Sequence, residues 1–88
     1  MRVYSTPSFN KDISKLRDAK LAAQVERIIL KMQAAEQIQD IAGVKKLAGA
    51  TNAYRVRFGD YRLGFTVSSS EIRLVVFAHR REIYRYFP

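Results

Sequence analysis

The segment YRVRFGDYRLGFTV, residues 54–67, constrains the fold more than any other part of the chain. On both sides of Gly59-Asp60, apolar residues alternate with cationic, polar or glycine residues. Alternation with a period of two is typical of a half-buried strand, and a Gly-Asp link is typical of a tight hairpin turn. The segment therefore predicts two antiparallel strands, Tyr54–Phe58 and Tyr61–Val67, whose apolar sides face a core.

A two-residue turn also predicts which side chains meet across the hairpin. Arg57 should lie opposite Arg62, and Arg55 opposite Gly64, on the face away from the apolar residues. Like charges directly opposite each other destabilise a strand pair by roughly a few tenths of a kcal/mol. A solvated face that carries charge only for solubility is the alternative, but such a surface normally mixes signs, and no carboxylate falls on this one. The pattern favours an anion-binding surface.

The charge of the whole chain agrees with that interpretation. Sixteen Lys and Arg residues against eight Asp and Glu residues give a net charge of +8. A chain this basic is expected to attract a polyanion, chiefly nucleic acid, or an acidic protein. Its 88 residues, 48% of them hydrophobic, predict one folded domain spanning 1–88.

Three kinds of feature are absent from the sequence, and their absence narrows the class of protein further. There is no cysteine, which leaves no disulfide and no thiolate metal site and fits a cytoplasmic protein. No apolar run reaches the ~20 residues of a membrane span, and the first residues turn polar too soon for a secretory signal. The chain also lacks a glycine-rich phosphate loop, a metal-ligand cluster and the spacing of a catalytic triad. We therefore expect no metal and no cofactor.

The first half of the chain predicts a strand and two helices. The segment MRVYST, halted by Pro7, predicts the strand, and a helix follows with Ser8 as its N-cap. Asp18 is expected to interrupt that helix and cap the next one. An apolar stripe with a 3.6-residue period marks the second helix, and core packing is favoured over a partner-binding face. The stripe consists of Leu21, Val25, Ile28, Ile29, Met32 and Ala35.

The remaining segments complete a β-α-α-β-β-β order. Ile38 and Ile41 extend the helical pattern up to Gly43, and residues 43–53 are predicted to form a loop. A third hairpin strand is expected over Ile72–Ala78, with one helical turn around residues 82–85. This order predicts an α+β domain, in which two helices pack on a mainly antiparallel four-stranded sheet.

The length of the SSSE turn before the last strand decides which side chains of that strand share a face with the arginines. If it is a four-residue turn, Arg73 and Phe77 lie on the arginine face, with Phe77 beside Arg62. An aromatic ring on a cationic surface suits phosphates and unstacked bases. A shift of one residue would instead place Phe77 in the core.

The tail HRREIYR places chemically versatile side chains just past the last strand. His79 is the only histidine and could carry a proton in catalysis, since imidazole exchanges protons near neutral pH; the alternative is an exposed surface histidine. Tyr84 could stack on a base or pack half-buried with its hydroxyl in water. Glu82 is expected to pair with a neighbouring arginine, and Tyr86 and Phe87 to pack as ordinary apolar residues.

Three segments together resemble a known superfamily. KKLAG (45–49), YRVRFGDYRLGF (54–65) and HRREIYR (79–85) are similar in order and spacing to RelE/ParE toxins of bacterial type II toxin–antitoxin systems. RelE-like members of that superfamily are ribosome-dependent endoribonucleases that cut mRNA in the ribosomal A site. ParE-like members share the fold and poison DNA gyrase. The basic strand residues and the tail look like the RelE branch.

The resemblance implies roles for individual residues. Arg55 and Arg57 stand at the basic strand positions, Arg62 at the phosphate-binding arginine, and Tyr84 at the tyrosine that stacks on or orients the substrate. Either Arg80 or Arg81 takes the place of the tail arginine. The implied catalytic residues are Arg57, Arg62, His79, Arg81 and Tyr84, and the implied RNA- or phosphate-binding residues are Lys46, Arg55, Arg73, Phe77 and Arg80.

The implied reaction is attack of the RNA 2′-hydroxyl on the adjacent phosphate, with His79 as general acid and Arg81 as its rival. Two departures affect the general base: there is no glutamate on the strand where some relatives have one, and arginines stand where other relatives have lysines, which deprotonate more readily. The implied partners are an antitoxin protein, the ribosome and mRNA. Gyrase poisoning, or a degenerate toxin that only binds its antitoxin, is the alternative.

Overall fold

The computed structural model describes all 88 residues. One sheet holds five strands in the order β1-β5-β4-β3-β2, in which only the β1–β5 pair is parallel. The α+β class is confirmed, with one strand more than the four expected. The elements are β1 Arg2–Ser5, α1 Pro7–Ser14, α2 Ala19–Ala34, a 3-10 turn Ile38–Asp40, β2 Val44–Lys46, β3 Ala53–Phe58, β4 Tyr61–Ser68, β5 Glu71–His79 and α3 Ile83–Tyr86.

The two long helices begin at side-chain caps. The Phe9 N–H donates to Oγ1 of Thr6 at 3.2 Å, and Pro7 takes the first helical position. Ser8 as the cap was therefore wrong, because proline has a helix-compatible φ and suits the first position of a helix. Asp18 was predicted correctly: its Oδ1 accepts from the Leu21 N–H at 3.0 Å and caps α2.

Helix α2 ends at Ala34, well before the Gly43 that was expected to end it. Ile38 and Ile41 are buried, but Ile38 starts a 3-10 turn and Ile41 follows it. Their spacing looked helical because both side chains still reach the core. Gly43, with a φ of +83°, instead leads into strand β2.

Strand β2 lies in the segment that was predicted to be a loop. Its residues pair antiparallel with β3, with Val44 opposite Val56, Lys45 opposite Arg55 and Lys46 opposite Tyr54. Three residues are too few to show a periodicity in the sequence, so only the pairing reveals this edge strand.

Helices α1 and α2 pack on one face of the sheet, and this helix-side core confirms that the apolar stripe of α2 is packing surface. Each fully buried aliphatic or aromatic side chain contributes about 1.5–3 kcal/mol to folding. No helix in the structure combines the length and the apolarity that a membrane span requires. The buried residues of this core are Phe9, Leu21, Val25, Ile28, Met32, Ile38, Ile41, Val56, Leu63, Phe65, Ile72, Leu74 and Phe77.

A bulge in β5 separates its two halves. Thr66 pairs with Arg73 and Phe65 with Leu74, but Gly64 pairs with Val76, so Val75 has no partner on β4. The expected register therefore holds up to Leu74, and the extra residue inverts the alternation beyond it. Phe77 on the arginine face was wrong for this reason: it is 5% exposed and belongs to the helix-side core.

Side chains of α1 and of its N-cap form hydrogen bonds with the backbone groups of the bulge. The Thr6 hydroxyl donates to the carbonyl of Val75 at 3.3 Å, and the Phe77 N–H donates to Oδ2 of Asp12 at 3.0 Å. Buried backbone groups that leave a strand ladder need such partners, since an unpaired one is costly. The first helix thus holds the bulge in place and, with it, the inward orientation of Phe77.

Replacing Asp12 tests that role. Asp12→Ala should lower the free energy of unfolding by about 1–3 kcal/mol, because it leaves the Phe77 N–H without an acceptor. Asp12→Asn, which keeps an acceptor oxygen, should lose less. Urea denaturation followed by circular dichroism measures both. Glu26→Ala, at an exposed position on α2, is the control, and an Asp12→Ala loss no larger than that of the control would contradict the assignment.

Candidate nucleic-acid interface

The face of the sheet away from α1 and α2, the outer face, carries a small core of its own. The residue that follows β2 packs there with residues of β3, β5 and the C-terminal segment as a C-terminal cluster, which consists of Leu47, Ala53, Val76, Ile83 and Phe87. Phe87 is 3% exposed, as expected for a packing residue, whereas Tyr86 is 68% exposed and was predicted wrongly. The tail therefore folds back over the sheet.

The ring of Phe87 lies on Gly64. A Cβ built at Gly64 would lie 2.7 Å from one carbon of that ring and 2.8 Å from Cγ1 of Val76. The tail thus fills the space above Gly64, and only glycine permits this close contact. The contact seats the short helix α3, which carries Tyr84.

Beside this cluster lies the arginine cluster, which we define as Arg55, Arg57 and Arg62. The predicted register is confirmed, with Arg57 opposite Arg62 and Arg55 opposite Gly64. Arg62 is only 9% exposed, and its Nη1 donates to the carbonyls of Gly59 at 2.7 Å and Tyr61 at 3.0 Å. These bonds hold the guanidinium in one position.

Electrostatics at Arg62 reveal its neighbours. Burial lowers the pKa of Arg62, and the charges of Arg57 and Arg55 lower it further. Tyr84 acts on the same pKa in the opposite direction, and Arg80 makes a smaller contribution that lowers it. Arginine nevertheless stays protonated at physiological pH, so the site keeps its full positive charge. Tyr84 and Arg80 of the tail therefore contribute to the electrostatic environment of Arg62.

The arginine cluster has no carboxylate partner. The one ion pair in the structure joins Nε of Arg80 to Oδ1 of Asp60 at 3.7 Å, so Glu82, which was expected to pair with an arginine, does not. Arg80 pairs with Asp60 and not with Glu82 because its backbone is already bound to the hairpin turn: the Arg80 N–H donates to the Asp60 carbonyl at 2.7 Å. Nε of Arg55 is buried without any hydrogen-bond partner. Buried donors of this kind are normally satisfied, which points to an anionic ligand.

The two lysines of β2 lie on opposite faces. Lys46 pairs with Tyr54, whose ring stacks on Phe65 in the helix-side core at 5.8 Å. The structure therefore places Lys46 on the face away from the arginine cluster. Lys45 instead lies opposite Arg55 on the outer face, and sequence reasoning missed it because the segment was taken for a loop. Strand alternation applied to residues 44–46 would have found it.

Arg73 shares the outer face with the arginine cluster but not its location. It pairs with Thr66, four residues along β4 from Arg62, which corresponds to ~13 Å. Arg73 is exposed near the other end of the sheet. The structure therefore separates it from the cluster.

His79 lies on the helix side of the sheet. It pairs with Tyr61 and touches that ring edge-on at 5.6 Å. Its Nδ1 accepts from the N–H of Arg81 at 3.2 Å, which places the proton of the neutral ring on Nε2. His79 lines a cleft of about 720 Å³ with Lys11, Lys15 and other residues. His79 therefore faces away from the arginine cluster. Arg81, two residues later, is exposed.

The structure therefore groups some of the predicted residues and separates others. No set of three or more His, Asp and Glu side chains is placed to hold a metal ion. The residues brought together are Arg55, Arg57, Arg62, Arg80 and Tyr84, and those placed elsewhere are Lys46, Arg73, Phe77 and His79.

The contact between Gly64 and Phe87 can be tested by a double-mutant cycle. Gly64→Ala should destabilise the protein by about 1–3 kcal/mol, because the new methyl group overlaps the ring. In a Phe87→Ala background the same change should cost less, since only the contact with Val76 remains. Urea denaturation of the four proteins gives the coupling energy. Equal losses in both backgrounds would show that the ring is not seated on Gly64.

Comparison with known proteins gives consistent results. Residues 3–84 match the family described as ParE toxin of type II toxin–antitoxin system, parDE. Toxin RelE3 of Methanocaldococcus jannaschii is 33% identical over 89 residues, covering all of both chains. A chain of the RelB-RelE antitoxin-toxin complex from Methanococcus jannaschii superposes with a TM-score of 0.82 at 29% identity, over 97% of this chain and 99% of the other.

A more distant structure shares the fold. A chain of the intact Escherichia coli RelBE toxin-antitoxin complex has a TM-score of 0.72 at 16% identity, with 89% of this chain and 94% of that chain covered. The full-length sequence match and the shared fold agree with the resemblance of the three motifs. The chain therefore belongs to the ParE toxin family and, with it, to the RelE/ParE superfamily of type II toxin–antitoxin toxins.

Proposed function

We propose that this toxin is a ribosome-dependent mRNA endoribonuclease, which cuts codons in the ribosomal A site, and that the arginine cluster is its active site. The observation that carries the proposal is the buried Arg62, which faces Arg57 while neither arginine forms an ion pair. Such a like-charge pair is unfavourable until an anion binds between the two groups. Similarity to a relative named Toxin RelE3 supports the RelE branch.

Arg62 is arranged to bind a phosphate. Its Nη1 uses both hydrogens on the carbonyls of Gly59 and Tyr61, which leaves the hydrogens of Nη2 and Nε for a ligand. A guanidinium fixed in this way needs little reorganisation as negative charge grows on the phosphate. Preorganised donors of this kind typically supply about 3–4 kcal/mol of transition-state stabilisation each.

The proposed reaction is an internal transfer within the RNA. The 2′-hydroxyl loses its proton to solvent water and its oxygen attacks the adjacent phosphorus, the bond to the 5′-oxygen breaks, and that oxygen receives a proton from the tail. The products are a 2′,3′-cyclic phosphate and a free 5′-hydroxyl. Arg57 and Arg62 stabilise the charge on the pentacoordinate phosphorus, and Arg55 binds the same strand.

The tail supplies the proton for the leaving oxygen. His79 faces the other side of the sheet, so it takes no part in the proposed step. Tyr84 and Arg80 are the tail residues near enough to Arg62 to affect its pKa. A tyrosine hydroxyl gives up a proton more readily than an arginine guanidinium. We therefore assign this role to Tyr84.

No side chain at the arginine cluster offers a general base. Asp60, the neighbouring carboxylate, is paired with Arg80. Alignment of the 2′-hydroxyl for attack is therefore left to the ribosome, which fixes the mRNA in the A site, and orientation of this kind can supply a large share of a rate enhancement. Activity on free RNA should be poor.

The partner in the cell is proposed to be an antitoxin with an acidic segment. Two of the similar structures are antitoxin-toxin complexes. The net charge of +8 and the unpaired arginines provide a surface that carboxylates complement. The antitoxin would bind across the arginine cluster.

A second candidate function is poisoning of DNA gyrase, because the matched family is named for ParE toxins. Primer extension on an mRNA translated in vitro separates the two candidates. The wild-type protein should produce cuts within A-site codons, and only when ribosomes are present. An intact message, together with gyrase-dependent DNA cleavage, would favour the second candidate instead.

Arginine variants tie the cleavage to the site. Arg57→Ala and Arg62→Ala should each lower cleavage by about 100-fold or more, because each removes charge stabilisation at the phosphate. Arg73→Ala is the matched control, since it removes an arginine from the same face ~13 Å away. Arg57 is exposed, so its replacement is not expected to affect folding. Full activity in Arg57→Ala would contradict the assignment of the site.

Tyr84→Phe tests the proton donor. The substitution keeps the ring and removes the hydroxyl, so it should lower the single-turnover cleavage rate on ribosomes while leaving half-saturation unchanged. Tyr86→Phe, which changes the other exposed tyrosine of helix α3, is the control. Unchanged single-turnover rates in Tyr84→Phe would limit Tyr84 to stacking.

A further inference from the structure

We propose that Lys45 and Arg55 form a second phosphate subsite, which binds the RNA phosphate next to the scissile one. This inference rests on the proposed function, because it names how the substrate strand crosses the same face. The subsite lies where β2 and β3 meet at the edge of the sheet.

The register places the two cations together. Lys45 pairs with Arg55, and residues directly opposite on one face of an antiparallel pair have Cβ atoms about 4.5–5.5 Å apart. The next pair on that face of β3 is Arg57 with Arg62. The outer face thus carries two successive like-charge pairs, one on β2–β3 and one on β3–β4.

Arg55 lacks any partner within the protein. Its Nε is buried and forms no hydrogen bond. On the β4 side it faces Gly64, whose surface is covered by the ring of Phe87 and offers no acceptor side chain. On the β2 side it faces Lys45, which is also a donor. Both neighbours leave the guanidinium unsatisfied, and an anion between Lys45 and Arg55 would remove the repulsion and supply the acceptor.

The spacing of the two pairs suits one nucleic-acid strand. Neighbouring strands lie ~4.8 Å apart, and two residues along a strand span ~6.7 Å. The centres of the two pairs are therefore offset by about 8 Å along a diagonal of the sheet. Long, flexible Lys and Arg side chains can adjust over such a distance to consecutive phosphates. The RNA would run from Arg62 towards the β2 edge.

The chain provides a matched control for Lys45. Lys46 is the next residue, is equally a lysine and is likewise exposed, but lies on the helix-side face. Removing either lysine changes the net charge by the same amount. A difference between the two variants therefore reports on position and not on total charge.

The first experiment measures binding without cleavage. Fluorescence anisotropy of a labelled twelve-nucleotide RNA, 2′-O-methylated throughout so that it cannot be cut, is recorded over a range of salt concentrations. Lys45→Ala should weaken binding several-fold and reduce the slope of log K against log salt by about 0.7, the value for one phosphate contact on a single strand. Lys46→Ala should match the wild type. Equal effects of the two changes would overturn the proposal.

The second experiment identifies the phosphate on the ribosome. Synthetic mRNAs carry an uncharged methylphosphonate immediately 5′ or 3′ of the scissile phosphate. On one of them, wild-type half-saturation should weaken to the level of Lys45→Ala, and combining the two changes should add nothing. Additive losses on both messages would overturn the subsite.

The two experiments separate failure of the subsite from failure of the proposed function. If the wild-type protein does not cut mRNA, the proposed function fails, and the binding experiment still decides whether Lys45 contacts a phosphate. If Lys45→Ala binds and cuts RNA normally but loses affinity for the antitoxin, Lys45 is an antitoxin contact and the proposal is overturned.

Discussion

The hydrogen bond from the Phe77 N–H to Asp12 fixes the relation between the two faces of the sheet. It holds the extra residue of the β5 bulge, and that residue inverts the alternation of everything after Leu74. Phe77 enters the helix-side core and His79 follows it to the same side. Val76 turns to the outer face, where it helps to seat the tail. This hydrogen bond between the first helix and the last strand therefore helps to determine which β5 side chains lie on the same face as the arginines.

The outer face combines a packed half with a charged half. Phe87 on Gly64 anchors the tail, and the anchored tail carries Tyr84 and Arg80 to Arg62. The cationic half is left without internal carboxylates, at the cost of repulsion and one unsatisfied donor. Proteins store unfavourable contacts of this kind where a ligand relieves them. Under the proposed function, the antitoxin and the RNA would each neutralise these arginines.

The proposed active site differs from one built on a histidine or a glutamate. The cluster is rich in fixed positive charge and poor in groups that titrate near neutral pH. In the proposed function, such a cluster stabilises charge at phosphorus, and the ribosome orients the nucleophile. A division of labour of this kind explains how a small sheet with few chemically distinct side chains could act on a specific target.

The sequence by itself determined the hairpin, its register and the opposition of Arg57 and Arg62, because alternation and a two-residue turn are local and permit one pairing. The α+β class and the stripe of α2 followed from periodicity in the same way. Strand β2 was too short to show a period, so Lys45 and Lys46 could not be assigned to faces. The sides taken by Phe77 and His79 depend on a bulge that residues 65 positions apart stabilise. Contacts between distant segments decide such features, and only the tertiary structure contains them.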